Sequence, residues 1–161
     1  MFSVSPVPTH EIDSVWPYIL PYIHNLQRRS EGQLFDWGYD ENKLKHLLRT
    51  RQVQLWVGWL QGGQIIGFTL TQLQMYKDHK VCEIFAASGE EEIEKDWNVL
   101  ITVIEDWAEN VEGCDAVLVN GRIGWNRVLK PSGYTIDSVQ LIKVFDDEDH
   151  DTTSASVEYK Y

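Results

Sequence analysis

The sequence is short of positive charge, short of cysteine and without any long apolar run, and each shortage removes a class of protein. Fourteen lysines and arginines stand against 25 aspartates and glutamates, giving a formal net charge of −11. Binding along a phosphate backbone needs clustered cations that release counterions, so no nucleic-acid partner is expected. The densest basic group, Lys43, Lys45, Arg49 and Arg51, falls at helical spacing and reads as a solvated helix face. The two cysteines, Cys82 and Cys114, form no CxxC pair and no cluster with histidine at ligand spacing. That leaves neither a disulfide framework nor a structural zinc site, and reduced cytosolic thiols are the reading. No stretch approaches the roughly 20 apolar residues of a membrane helix. The opening MFSVSPVPTHEID lacks a basic segment followed by an apolar core, so no secretory signal and no membrane partner are expected.

What is present suits one domain: 161 residues, 43% of them hydrophobic, are enough to bury a core without staples. Ile12, Val15, Trp16, Ile19, Ile23 and Leu26 recur at helical spacing, and Pro17 and Pro21 predict a kinked or two-piece helix. A second helix is predicted over 41–51, with Asp40 as its N-cap and Leu44, Leu47 and Leu48 inward. The period then changes to two at Val53, Leu55, Val57 and Trp59, which is a strand. Gly62 and Gly63 turn it into a partner strand over 64–73, with Ile66, Phe68 and Leu70 on one face. A third strand is predicted over 81–87, reached through the polar link 77–80. Ile93, Trp97, Leu100, Ile101, Ile104, Ala108 and Val111 form one wide helical stripe ended by Gly113. A strand over 116–119, a short helix over 125–129, a turn at 131–133 and a final strand over 139–145 complete the order. The division expected is a single domain over 1–145 followed by an acidic tail over 146–161, too polar to offset its ordering entropy.

This order, with Gly113-Cys114-Asp115 leading into a strand, a short helix and the pair Gly133-Tyr134, resembles the Gcn5-related N-acetyltransferase (GNAT) fold over roughly residues 5–145. It implies an α+β class with a central mixed sheet flanked by helices. More narrowly, Leu55-Trp56-Val57, Asp106-Trp107-Ala108, Gly121-Arg122 and Gly124-Trp125 with Arg127 and Leu129 resemble small acetyltransferase-like proteins carried by tailed bacteriophages.

Enzymes of the resembled family hold acetyl-coenzyme A on backbone donors of an Arg/Gln-x-x-Gly-x-Gly/Ala loop before the long helix, where free N–H groups and the helix terminus meet a pyrophosphate. Here that position reads Ala86-Ala87-Ser88-Gly89-Glu90-Glu91-Glu92-Ile93-Glu94, and the pattern is absent. Each carboxylate beside a pyrophosphate would cost about 3 to 4 kcal/mol at an effective dielectric near 20, before salt screening. Their alternative use is to stabilise the helix dipole themselves. Ser88 and Gly89 are the candidates for holding a cofactor through main-chain donors, if one is held. The family's proton donor to the leaving thiolate is commonly a tyrosine at the position filled here by Leu129, which has no proton to give. Glu83, on a strand where a general base is found, and Tyr134 are the candidate catalytic side chains. An alternating strand turns a lone glutamate toward solvent as its ordinary placement.

Loss of loop and acid together leads to the expectation of a non-catalytic acetyltransferase-fold protein without cofactor or metal, working by contact with other phage or virion proteins or with itself. It would reside in the virion or the host cytoplasm. Seven tryptophans supply anchors for that role. Trp37, Trp56 or Trp59, and Trp125, with Arg122 and Arg127, are the partner-contact candidates, while Trp16, Trp97 and Trp107 read as core. The alternatives are a divergent acetyl-coenzyme A-dependent N-acetyltransferase and an acidic inhibitor or decoy of a basic host protein.

Overall fold

Alternation becomes pairing from the first residues onward. The computed structural model describes residues 1–30, 40–121 and 124–145. Strands β1 (Phe2–Pro6), β2 (Gln54–Leu60), β3 (Ile65–Tyr76), β4 (His79–Gly89) and β5 (Ala116–Val119) form one sheet in that spatial order. The first four pair antiparallel, and β5 joins β4 in parallel. Helices α1 (Ile12–Ser30) and α2 (Glu41–Arg49) cover one face, and α3 (Glu91–Glu94) and α4 (Trp97–Asn110) cover the other. Helix α5 (Gly124–Leu129) follows β5 and buries Leu129 against the second layer.

Strand β1 is missing from the sequence reading because Ser3, Ser5 and two nearby prolines hide its short alternation. It lies at the sheet edge, where a proline is tolerated. Helix α1 is a single helix despite Pro17 and Pro21, not two pieces. Its Ile12, Trp16, Ile19 and Ile23 are buried, and Trp16 Nε1 donates to Glu41 Oε1 at 2.7 Å, tying α1 to α2. The Asp40 side chain accepts from the Lys43 amide at 2.7 Å, the expected N-cap. The basic face is a helix surface: Arg49 pairs with Asp13 at 2.6 Å, and the Lys45 ammonium lies 4.9 Å from the Trp16 ring centroid.

Two irregularities redirect side chains. Gly58 pairs with Gly67 but Trp59 with Ile65, so Ile66 is an extra residue and turns toward α4, away from Phe68 and Leu70. Leu70 pairs with Ala86 but Thr71 with Ile84, so Phe85 is extra in β4. Cys82 and Ile84 consequently face α4 whereas Ala86 faces α1. The polar link expected over 77–80 shrinks to a two-residue turn with positive φ at Lys77 (47°) and Asp78 (66°), which lengthens β3 and β4 into one hairpin.

The long stripe is two helices. Asp96 at φ −144° and ψ 61° separates α3 from α4, and Val111 is exposed beyond the end of α4. Gly113 at φ 67° closes that end as predicted. The strand expected over 139–145 is absent. Residues 134–145 have no regular structure, and Val139, Leu141, Ile142, Val144 and Phe145 are exposed. The expected tail over 146–161 lies outside the described residues.

Candidate active site

The chemistry-bearing part of the sheet is where β4 outruns β5. Strand β4 is paired with β3 from His79 to Gly89, yet with β5 only from Val81 to Ile84. The Asn120 amide makes the last contact, donating to the Ile84 carbonyl at 3.1 Å. Beyond it, no described strand lies on the β5 side of residues 85–89. The sequence produces this notch through the shortness of Ala116–Val119 and the exit of the chain at Asn120-Gly121. The Trp97 and Trp125 rings, 5.2 Å apart between centroids, sit together on the α4 layer, and Trp125 packs against Gly121. Gly121 has to be small: a Cβ there would lie 2.7 Å from the Trp125 ring.

Immediately after the notch, α3 is pinned to the sheet by one side chain. Ile93 is fully buried, and its Cδ1 lies over three glycines on adjacent strands, Gly58, Gly67 and Gly89. A Cβ on them would stand 2.5, 2.6 and 3.1 Å from that methyl. The glycines are thus the floor of a trough. The glutamates around Ile93 are partnered: Glu90 accepts from the Tyr22 hydroxyl at 3.0 Å, Glu91 pairs with Lys95 at 2.9 Å and Glu94 with Arg29 at 2.7 Å. Burial, then the hydrogen bond to Glu90, raises the Tyr22 phenol to about 12. The Glu90 amide is used by the Ile66 carbonyl at 2.8 Å, and those of Ile93 and Glu94 by the Glu90 carbonyl.

Glu83 precedes the notch by one turn of the strand alternation. Contrary to the solvent-facing placement expected for it, its side chain is buried at 9% exposure, and Gln72 Nε2 donates to Oε1 at 3.3 Å. Gln74 Nε2 donates to Oε2. Two amide donors hold the carboxylate in place, an arrangement open to a proton-accepting role. Both glutamines come from β3 by direct pairing, Gln72 opposite Glu83 and Gln74 opposite Val81. Sequence reading missed them because the partner strand's register decides which glutamine faces which residue.

Tyr134 is half-buried and its hydroxyl donates to Glu105 Oε2 at 2.9 Å. Burial and that bond raise its phenol well above the ordinary range, so it holds its proton firmly. Leu129 is buried in the second layer. Ser88 and Gly89 lie on the notch itself. Ser88 is buried, and its hydroxyl is without a partner, as is that of Thr69 on β3, opposite Ala87. His79 pairs with Asp115 at 3.1 Å, not with Cys82, whose thiol burial pushes up to about 12.

The partner-contact candidates are dispersed. Trp56 is buried at the core and makes an edge contact with Trp107 at 5.2 Å, so it presents no surface. Trp59 is half-buried and donates to Ser5 Oγ at 2.9 Å, and Trp125 is half-buried against Trp97. Arg127 is exposed. Trp37 and Arg122 lie outside the described residues. No group of three or more metal-ligating side chains occurs among the described residues, and no described helix is long and apolar enough to cross a membrane.

No protein-family model matches the sequence, and no curated protein matches it. Solved structures do match. A ribosomal-protein-alanine N-acetyltransferase from Brucella melitensis biovar Abortus superposes with a TM-score of 0.64 at 14% identity, over 90% of this chain and 100% of that one. A GNAT family acetyltransferase from Staphylococcus aureus gives 0.62 at 15% identity, over 89% and 98%. An aminoglycoside acetyltransferase from an uncultured soil metagenomic sample gives 0.58 at 12% identity, over 90% and 95%. The chain has the GNAT fold, a five-stranded mixed sheet with flanking helices.

These likenesses correct the expectation of a non-catalytic virion component. The three matched chains are acetyltransferases, and no particle protein is among them. Acetyl-coenzyme A is the cofactor that the fold implies. The notch fits its slender amide-bearing arm, since residues 85–89 offer a strand edge and carry an unpartnered buried hydroxyl at Ser88. The loop after it carries four glutamates, of which Glu94 is paired with Arg29 and Glu91 with Lys95, so it is the part of the site that fits a pyrophosphate least.

Proposed function

We propose that this protein is a divergent N-acetyltransferase that moves an acetyl group from acetyl-coenzyme A to an amine. The observation that carries the reading is Glu83, a buried carboxylate held by two glutamines just before the stretch of β4 whose edge is open. The edge of residues 85–89 and the Ser88 hydroxyl would hold the cofactor arm. When bound, the cofactor supplies an activated acetyl thioester, whose C–S bond is exchanged for a C–N bond to the acceptor. Glu83 accepts the proton that the attacking nitrogen must lose, directly or through one water. Gln72 and Gln74 keep its carboxylate aimed. Leu129 delivers no proton and the Tyr134 phenol retains its own, so water is left to protonate the leaving group. The kinship read from Gly121-Arg122 and Gly124-Trp125 with phage-borne acetyltransferase-like proteins belongs to this proposal as a statement of origin, with no particle role attached.

Titration calorimetry with acetyl-coenzyme A tests the reading: micromolar binding supports it, and no heat at millimolar ligand ends it. Glu83→Gln should leave that binding intact while lowering the transfer rate by on the order of 10²- to 10⁴-fold, the usual contribution of a positioned base. Binding lost together with transfer would show that Glu83 holds structure, not protons.

A further inference from the structure

At the edge of the sheet opposite to the notch, β2 begins before β1 has a residue to pair with it. The ladder between them runs only from Trp56 to Leu60, and the Val7 amide adds one bond to the Leu55 carbonyl at 2.9 Å. There the chain leaves the sheet through Pro6-Val7-Pro8, and a groove of about 440 Å³ opens between the two helical layers. Its walls are apolar: Val7 and Val53, Leu48 of α2, Leu73 of β3 and Trp107 of α4. Val7, Leu73 and Trp107 are half-buried, so they present surface to the space they enclose.

The rim holds Arg51, His10 and Glu112. Glu112 is already balanced, because Lys80 Nζ donates to its backbone carbonyl at 2.6 Å and lies 3.4 Å from its carboxylate. Arg51 is not: in a chain of net charge −11, its guanidinium pairs with no acid among the described residues. Arg51 also stands where glycine belongs. Its φ is 62°, its amide donates to the Leu48 carbonyl at 3.2 Å, and the Gln52 amide donates to the Leu47 carbonyl at 3.0 Å, the pair of bonds that ends a helix on a left-handed residue. A side chain in that conformation costs stability that glycine does not. Backbone strain of this kind is characteristic of residues whose side chains are used.

We propose that this groove binds a small amphipathic monocarboxylate of the medium-chain fatty-acid class, its chain against Leu48, Leu73 and Trp107 and its carboxylate on the Arg51 guanidinium. One negative charge is what the rim balances, since a dianion would also meet the Glu112 carboxylate. The site shares no residue with Glu83, its two glutamines or the notch, so occupancy here does not require the proposed acetyl transfer.

Calorimetry and NMR on the full chain, with octanoate and with octanamide as its neutral counterpart, test this. Octanoate should bind once per chain and shift the Trp107 indole N–H resonance. Octanamide should bind about tenfold more weakly, having lost a charge-assisted pair. Arg51→Gly should weaken octanoate by a similar factor and at the same time raise the thermal midpoint, because glycine takes this φ without a Cβ. No octanoate binding at millimolar concentration overturns the proposal, as does octanoate binding undiminished in Arg51→Gly. Equal affinity for the two probes overturns it by marking a merely apolar face, of the kind another protein covers. A lowered midpoint in Arg51→Gly overturns it equally, by showing that Arg51 serves the fold.

Discussion

Replacing Ile93 by alanine tests how the helix-bearing loop is fastened to the sheet. The side chain is wholly buried, and the surface beneath it is Gly58, Gly67 and Gly89, which have no side chains to move into the space left. Isoleucine-to-alanine changes cost about 2 to 5 kcal/mol according to how far the site collapses, and a glycine floor places this one near 4. Gly58→Ala alone introduces a methyl 2.5 Å from Ile93 Cδ1, an overpacking worth about 1 to 3 kcal/mol. In the double variant the new methyl occupies the emptied space. Gly58→Ala/Ile93→Ala should therefore be more stable than Ile93→Ala by about 1 kcal/mol, where additivity demands that it be less stable. Gly67→Ala gives no such rescue, since its methyl would also lie 2.8 Å from the Ser88 carbonyl oxygen and the Gly89 Cα, which are backbone. Urea midpoints at constant m-value read all of these. Additive losses at Gly58 and Ile93 would refute the trough as the fastening.

Further outcomes follow from individual contacts. Asp40→Ala should cost about 0.5 to 2 kcal/mol by leaving the Lys43 amide uncapped, seen as a lower thermal midpoint; Asp40→Asn should recover most of it. The Tyr22 phenol is raised to about 12 in the folded protein from 10.0, so its contribution is complete below pH 10 and is lost as pH climbs toward 12. Tyr134, raised in the same direction, adds to that loss. Alkaline unfolding followed by fluorescence should be shallower in Tyr22→Phe/Tyr134→Phe, and an unchanged profile would disprove the assignment. Cys82, with its thiol pushed up to about 12 by burial, should resist a thiol reagent at neutral pH until the protein unfolds, and rapid native labelling at Cys82 would contradict its placement.

Local chemistry made much of the fold legible. The helical period located α1, α2 and α4, Asp40 marked a cap, and Gly113 and Gly133 take the positive φ their positions required. The irregularities at Ile66 and Phe85 were hidden, because an extra residue in a strand reverses the faces after it without altering composition. The break at Asp96 was hidden for a related reason: the apolar stripe from Ile93 to Ala108 continues through it. Residues 139–145 have the alternation of a strand and are not one, because periodicity records only a capacity to pair. At the candidate site, Glu83 could be named from its strand, while Gln72 and Gln74 depend on a register that no local pattern encodes. The missing glycine motif carried too much weight toward a non-catalytic reading, since the notch in the sheet does not depend on it.

That notch exists because one strand is longer than its neighbour, so it is written in chain length and not in side chains. Substitutions can change every side chain around it and leave it intact. Insertion is the change it cannot absorb. Two or three strand-forming residues added after Val119 would carry β5 alongside Phe85–Gly89 and seal the opening by hydrogen bonds alone, so that the length of this short strand decides whether the edge of β4 is exposed.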